Sequence, residues 1–217
     1  SARILYVDSR SRLSRLEFER RPSCRPELQP TTVGWRSDVA GGDGKLRGDL
    51  SWPTDPRLNG RILVSLFPRS TVEGVPQLDR EQIWWLQLDH DSTEVIAAGR
   101  LTAAVVPDDG LSRERCPVIG ADASGRLHLA FLENRPSDPA SQWRLKVVPV
   151  AIAPQTGEPT VIAGECRTLC ERCVTVFPIF TADSRSVRCL TWPEGKGGWQ
   201  VRTFAINIPP AGDAGPS

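Results

Sequence analysis

Methionine is absent from the 217 residues, tyrosine occurs 1 time and histidine 2 times. So few imidazole and phenol groups leave little from which to build general acid–base chemistry near neutral pH. Neither sign of charge is in excess: Lys plus Arg is 27, Asp plus Glu is 26, and the formal net charge is +1. That balance argues against nucleic acid or an anionic membrane surface as the chain's main partner. No apolar run approaches the ~20 residues needed to span a bilayer, and no signal-peptide pattern opens the chain. The start at Ser1-Ala2-Arg3, with no initiating Met, reads as a processed product or an excised piece of a longer chain. Long helical stripes are missing too. Gly (18) and Pro (19) are about one residue in six, which favours many turns. Arg outnumbers Lys 24 to 3, with acids interspersed throughout, and this reads as genomic codon bias rather than a guanidinium function.

What is present is the alternation of strands. Residues 61–67 (RILVSLF), 82–88 (QIWWLQL), 127–133 (LHLAFLE) and 143–150 (WRLKVVPV) are short, rich in β-branched and aromatic residues, and bounded by Gly, Pro, Asp or Ser. Leu127, Leu129 and Phe131 share one face of their strand, with His128 and Ala130 on the other. The fold class is therefore all-β.

Internal repetition sharpens this. PVIGAD at 117–122 and PIFTAD at 178–183 are each followed by small or polar residues, a strand, and a strand opened by Trp, at Trp143 and Trp199. TEVIAAG at 93–99 and PTVIAG at 159–164 mark a further strand. The unit is four strands: Pro-led, post-Asp, Trp-led and VIAG. Pro leads where no ladder donor is needed, and the carboxylates of Asp122 and Asp183 are placed to accept local backbone N–H groups as structural turn residues. Residues 155–158 read as the hairpin turn into the last strand. One such sheet cannot bury both faces alone, so several must pack side by side, and radial stacking of four-stranded antiparallel sheets is a β-propeller.

PVIGADASGRLHLAFLE and PIFTADSRSVRCLTW resemble the TolB-like propeller repeats, a WD-like repeat family with a P-x-F-S-P-D-G-x-x-L-x-F consensus. The first departs at Ala121, where that family often has Pro, and shifts its Gly to Gly125; the second carries Ser184 and Ser186 and no Gly in its turn. The resemblance covers residues 117–206 and, more loosely, 47–100, and implies a propeller fold. About four blades are expected, near residues 1–40, 47–100, 117–164 and 174–207, within a domain of 1–208 followed by a flexible tail at 209–217. A partial propeller from a larger chain is the alternative. Residues 37–48 and 105–115 read as connections between blades.

Chemistry is scarce. The cysteines are Cys24, Cys116, Cys166, Cys170, Cys173 and Cys189, three of them in CRTLCERC, which reads as a loop between the third and fourth units. A disulfide pinning that loop comes first, Cys166 with Cys173 and Cys170 as second choice; buried free thiols and a thiolate metal site follow. An even cysteine count leans towards a periplasmic or extracellular setting. Cys189, alternating with Val187, is expected to be a buried free thiol. His90 falls in a turn and His128 inside a strand, neither near a recognisable nucleophile. Asp89, Asp91, Asp108 and Asp109 sit in turns, where Asp is common anyway, and Trp84-Trp85 sends one ring to each face of a sheet. No catalytic residue, cofactor or metal is expected. The functional expectation is a non-catalytic propeller module that binds a protein partner within a larger bacterial protein, without nucleic acid or membrane insertion. The alternative is a propeller enzyme or carbohydrate-binding domain with its site at the channel mouth.

Overall fold

The computed structural model describes residues 2–18, 30–42, 44–72, 75–78, 80–106, 112–139, 142–183, 185–192 and 198–206. Cys24, Asp108, Asp109, Ser184 and the tail at 209–217 lie outside them. Among the described residues there is no α-helix; the helical turns are the 3₁₀ turns Pro56–Leu58 and Ala163–Glu165. Nor, among the described residues, is any helix long and apolar enough to cross a membrane.

The first sheet runs antiparallel through β1 (Ala2–Val7), β2 (Leu13–Phe18) and β3 (Pro30–Thr32). β4 (Gly34–Trp35) then leaves it and pairs in parallel with Glu94–Val95 of the second sheet. That second sheet opens with β5 (Lys45–Ser51) and β6 (Arg61–Phe67). After a side hairpin of β7 (Arg69–Val72) and β8 (Val75–Leu78), it is completed by β9 (Gln82–Leu88) and β10 (Glu94–Arg100), in the order β5-β6-β9-β10. β11 (Arg113–Ala121), β12 (Leu127–Asn134) and β13 (Trp143–Ile152) form a third antiparallel meander. Both β14 (Pro159–Val161) and β15 (Arg167–Cys173) pair with β13, one at each end. β16 (Ile179–Phe180), β17 (Ser186–Thr191) and β18 (Gln200–Ala205) follow, and a single bridge, Cys173↔Thr191, joins them to β15 as one eight-stranded sheet.

The strands read from alternation appear where they were placed. Three readings of loops are corrected. Residues 45–48, taken as the end of a connection, open β5, with Leu46 buried in the core between the first and second sheets. Residues 113–115, taken as part of a connection, begin β11, because their polar side chains have buried partners. Residues 167–173, taken as a loop, are β15. β14 covers only Val150–Ile152 of the ten-residue β13, and the chain returns to pair with the uncovered Trp143–Val147.

The period of two sorts each central strand between two cores. Ile62, Val64, Leu66, Trp84 and Leu86 face Leu5, Val7 and Leu13 of the first sheet. Leu63, Ile83 and Trp85 turn the other way, onto Leu127, Leu129, Phe131, Val148 and Val150 of the third. The reverse face of that sheet packs Ala130, Leu132, Trp143, Leu145 and Val147 against Cys173, Val187, Cys189 and Phe204. Both central sheets are thus covered on two sides, which is why β9 and β12 read as near-continuous apolar runs. Trp84 and Trp85 go to opposite cores, at 9% and 6% exposure.

A polar seam fixes the second sheet to the third. Glu81, fully buried at the entry to β9, has the Nε atoms of Arg47, Arg113 and Arg115 at 3.1, 3.0 and 2.8 Å from its carboxylate. Arg113 and Arg115 share one face of β11, and both guanidinium groups lie over the Trp143 ring, at 5.5 and 4.9 Å from its centroid. Glu114, on the opposite face, accepts the Ile83 N–H at 3.1 Å, the Arg100 guanidinium at 3.0 Å and the Thr102 hydroxyl. Past Arg115 the strand bulges, with Cys116 at φ 53°, and alternation resets to place Val118 and Ile119 for the site below.

Two outcomes follow from the seam. Glu81→Gln leaves three guanidinium groups without their counter-charge and should lower stability by about 3–5 kcal/mol, read from denaturant midpoints. Burial raises the Glu114 carboxyl above the usual range, against the pull of Thr102, Arg100 and the Ile83 N–H. The folded chain therefore holds this proton more tightly than the unfolded one. The stability it contributes is complete below the ordinary carboxyl value and is lost as pH rises towards the raised one. Relative to wild type, Glu114→Gln should gain in midpoint as pH rises through that window; a constant difference would contradict the assignment.

Candidate functional site

β1, β5, β11 and β16, the first strands of four consecutive groups, are each followed within four residues by an aspartate that folds back on its own turn. Asp8, Asp55, Asp122 and Asp183 accept the N–H two residues on, from Arg10, Arg57, Ser124 and Arg185, at 2.8, 2.9, 2.8 and 3.1 Å. The structure places Asp122 after β11, where its own N–H bonds the Arg126 carbonyl, and Asp183 after β16, where the Thr181 N–H bonds the Ser186 carbonyl. Sequence reading missed Asp8 and Asp55; the signal was an Asp followed two positions on by Arg or Ser. Hydrogen bonds hold three of these carboxyls below the usual range: chiefly the Arg12 N–H at Asp8, the Arg57 side chain at Asp55 and the Thr181 hydroxyl at Asp183. Arg57 also donates to the Gly125 carbonyl at 2.8 Å, tying the second turn to the third, where Gly125 takes φ 81°.

Asp122 does more than cap. Its Oδ1 accepts the Ser124 and Arg126 N–H groups, while Oδ2 lies 2.9 Å from Nε2 of buried His128. The dyad is closed off inside the sheet packing, at 7% and 4% exposure. It positions a turn rather than facing a ligand. Asp89 is likewise occupied by the Thr93 and Glu94 N–H groups, and His90 is exposed in that turn. Among the described residues no group of three or more His, Cys, Asp or Glu side chains is arranged to hold a metal ion.

The first strands also shape an open cleft. The end of β5 and its continuation (Leu50, Ser51, Trp52, Thr54), β11 (Val118, Ile119) and the segment entering β16 (Phe177, Pro178, Ile179, Phe180) enclose about 340 Å³. A side chain at Gly120 would put its Cβ 2.7 Å from the Phe180 ring, so the glycine lets that ring lie directly on β11. Trp52 stands at the lip, 48% exposed. Among the described residues, the side chains lining the cleft bring two hydroxyls, of Ser51 and Thr54, and no charge. A second cleft between β1 and β5 carries Asp8, Lys45 and Arg47, but Asp8 is engaged in its turn and Arg47 on Glu81.

The expected Cys166–Cys173 disulfide is corrected. All five described cysteines, Cys116, Cys166, Cys170, Cys173 and Cys189, are free thiols. The segment between Cys166 and Cys173 is extended rather than folded back, and at ~3.3 Å per residue it carries the two ends far beyond bridging distance. Cys166 packs against the core between the second and third sheets, Cys173 against the core beyond the third. Cys170, the second choice, lies on the Cys173 side, because a bulge sets three residues of β15 against two of β13. Cys189 is buried and free, on the same face as Val187.

No family model and no curated protein matches the chain. Among solved structures it is similar to an endo-arabinase from Bacteroides thetaiotaomicron VPI-5482, at 11% identity and a TM-score of 0.46, over 95% of this chain and 74% of that one. That similar structure is an enzyme, and the expectation that this chain is not one is withdrawn on that finding. No residue role is transferred at such a score.

Asp122→Ala removes the turn bonds and strands the His128 ring nitrogen inside the protein, for a loss of about 2 kcal/mol in unfolding free energy. Asp183, on the surface, should show a smaller drop in melting temperature on the same change. Equal shifts would contradict the role given to His128.

Proposed function

We propose that the chain is a β-propeller-type domain that binds a neutral carbohydrate chain in the cleft between Trp52 and Phe180. Four consecutive groups of strands, each opened by a strand followed by a turn aspartate, support the propeller reading and its likeness to TolB-like repeats. β1 lies beside β5 and β5 beside β11, as first strands around one axis would. About four blades, or part of a larger propeller, is the arrangement this favours.

One observation carries the ligand class: an open cleft with aromatic walls, two hydroxyls and, among the described residues, no charged lining side chain. Phosphates, nucleotides and charged peptides would lose their hydration there without a counter-charge. A sugar ring offers apolar C–H faces to Trp52 and Phe180 and hydroxyls to Ser51 and Thr54, the combination of apolar surface and few placed polar groups that binding sites use. Rings held on strands meet such a ligand with little entropy left to lose. A protein segment laid in the same groove is the competing reading, favoured by the exposed branched side chain of Ile179.

Calorimetric titration with neutral oligosaccharides, arabino-oligosaccharides among them, tests the proposal, and reducing-end release in the same samples reads any hydrolysis. Binding should be measurable, and Trp52→Ala should weaken it about tenfold or more, the scale of losing a central aromatic anchor. No heat with any sugar removes the carbohydrate reading and leaves the groove to a peptide.

A further inference from the structure

The bulge in β15 has a chemical result: three thiols converge at one place. Cys173 Sγ lies 3.4 Å from Cys189 Sγ across the β15–β17 junction, both side chains deeply buried, and Cys170 packs against the same cluster. Cys170 alone of the three is half-exposed. It opens into a cavity of about 460 Å³ bordered by Arg172, Arg202, Glu171, Trp192 and Phe204. The Arg202 guanidinium is stacked on Phe204 at 5.1 Å from the ring centroid. The two buried thiols hold Cys170 well below the ordinary thiol value, helped by Arg202, while the same contacts push Cys173 and Cys189 up. Of the three thiols Cys170 is the one that lines the cavity, so it is the nucleophile and the buried inner pair is its reserve.

We propose that Cys170, Cys173 and Cys189 form a thiol–disulfide exchange site for a small, carboxylate-bearing disulfide. The cavity is far larger than a peroxide needs, and Arg172 and Arg202 supply the counter-charge for carboxylates. In the first step the Cys170 thiolate attacks one sulfur of the incoming disulfide: a Cys170–S bond forms, the substrate S–S bond breaks, and one thiolate leaves with the electron pair. Cys173 attacks Cys170 Sγ, and its proton leaves with the expelled second substrate sulfur as a thiol. Cys189 then loses its proton and attacks Cys173 Sγ, leaving Cys173–Cys189 bridged and Cys170 a thiolate again. Two protein thiols are oxidised by two electrons, and one disulfide is reduced to two thiols. Bridging the inner pair closes the gap from 3.4 Å to about 2.05 Å.

The test uses the whole, fully reduced chain with glutathione disulfide as probe, followed by acid quenching, alkylation and peptide mass mapping. The expected product is a Cys173–Cys189 bridge with Cys170 alkylated. Cys170→Ser and Cys170→Ala should form that bridge at least about tenfold more slowly, although both bridging sulfurs are still present. Cys173→Ser should accumulate glutathione on Cys170. Cys166→Ser should behave as wild type, and unchanged thermal melting of the Cys170 variants shows that slow oxidation is not misfolding. The proposal is overturned if either Cys170 variant bridges at the wild-type rate, if glutathione collects on Cys24 or Cys166 instead, or if the purified chain holds one equivalent of zinc that Cys170→Ser loses.

Discussion

One buried carboxylate sets the frame. Glu81 has no solvent of its own, and the guanidinium groups that replace it come from β5 and β11. A slip of β11 by one residue would send Arg113 and Arg115 to the opposite face and bring Glu114 up against Glu81, two buried acids together. The register of β11 is therefore fixed by charge as well as by apolar pattern. β12 and β13 inherit that register, and Trp143, beneath the two arginines, carries it to the next core.

The same seam marks the limit of what sequence could tell. Strands at 61–67, 82–88, 127–134 and 143–152 were legible because their alternation is strong and their bounds are turn residues. Arg113-Glu114-Arg115 was not, since three charges in a row read as solvated loop until Glu81, 32 or more positions away, is seen to sit against them. CRTLCERC misled for a related reason. Its i, i+4 and i+3 spacing suits a helical turn, but the unpaired half of β13 claims it as a strand. The bulge that then aligns Cys170 with Cys173 leaves no trace in the sequence. Of the site residues, Asp122 and Asp183 were legible because capping is local, and Asp8 and Asp55 carried the same signal unread, whereas the cleft of Trp52 and Phe180 joins residues from three separate first strands.

Turns and cleft share a cause. Each first strand must stop at a defined point, and an aspartate that satisfies its own turn stops it without help from another element. With the ends fixed, the side chains just before and beyond them, from Leu50 to Thr54 and from Phe177 to Phe180, are held in place as walls. The dense core behind them does the rest: Phe180 lies flat on Gly120 and has no room to swing inward.

The two-residue strand β4 has a mechanical meaning. Gly34 donates to the Thr93 carbonyl at 2.7 Å and Arg36 to that of Val95 at 3.1 Å, so the first sheet is sewn to the second by bonds on a parallel pair. A pull along the chain on the first sheet loads those bonds together, in shear, rather than peeling them one at a time. The amino-terminal sheet is thus tied to the rest as a rope is by a splice, with the Leu46 N–H on the Ser11 carbonyl at 3.1 Å as a further stitch.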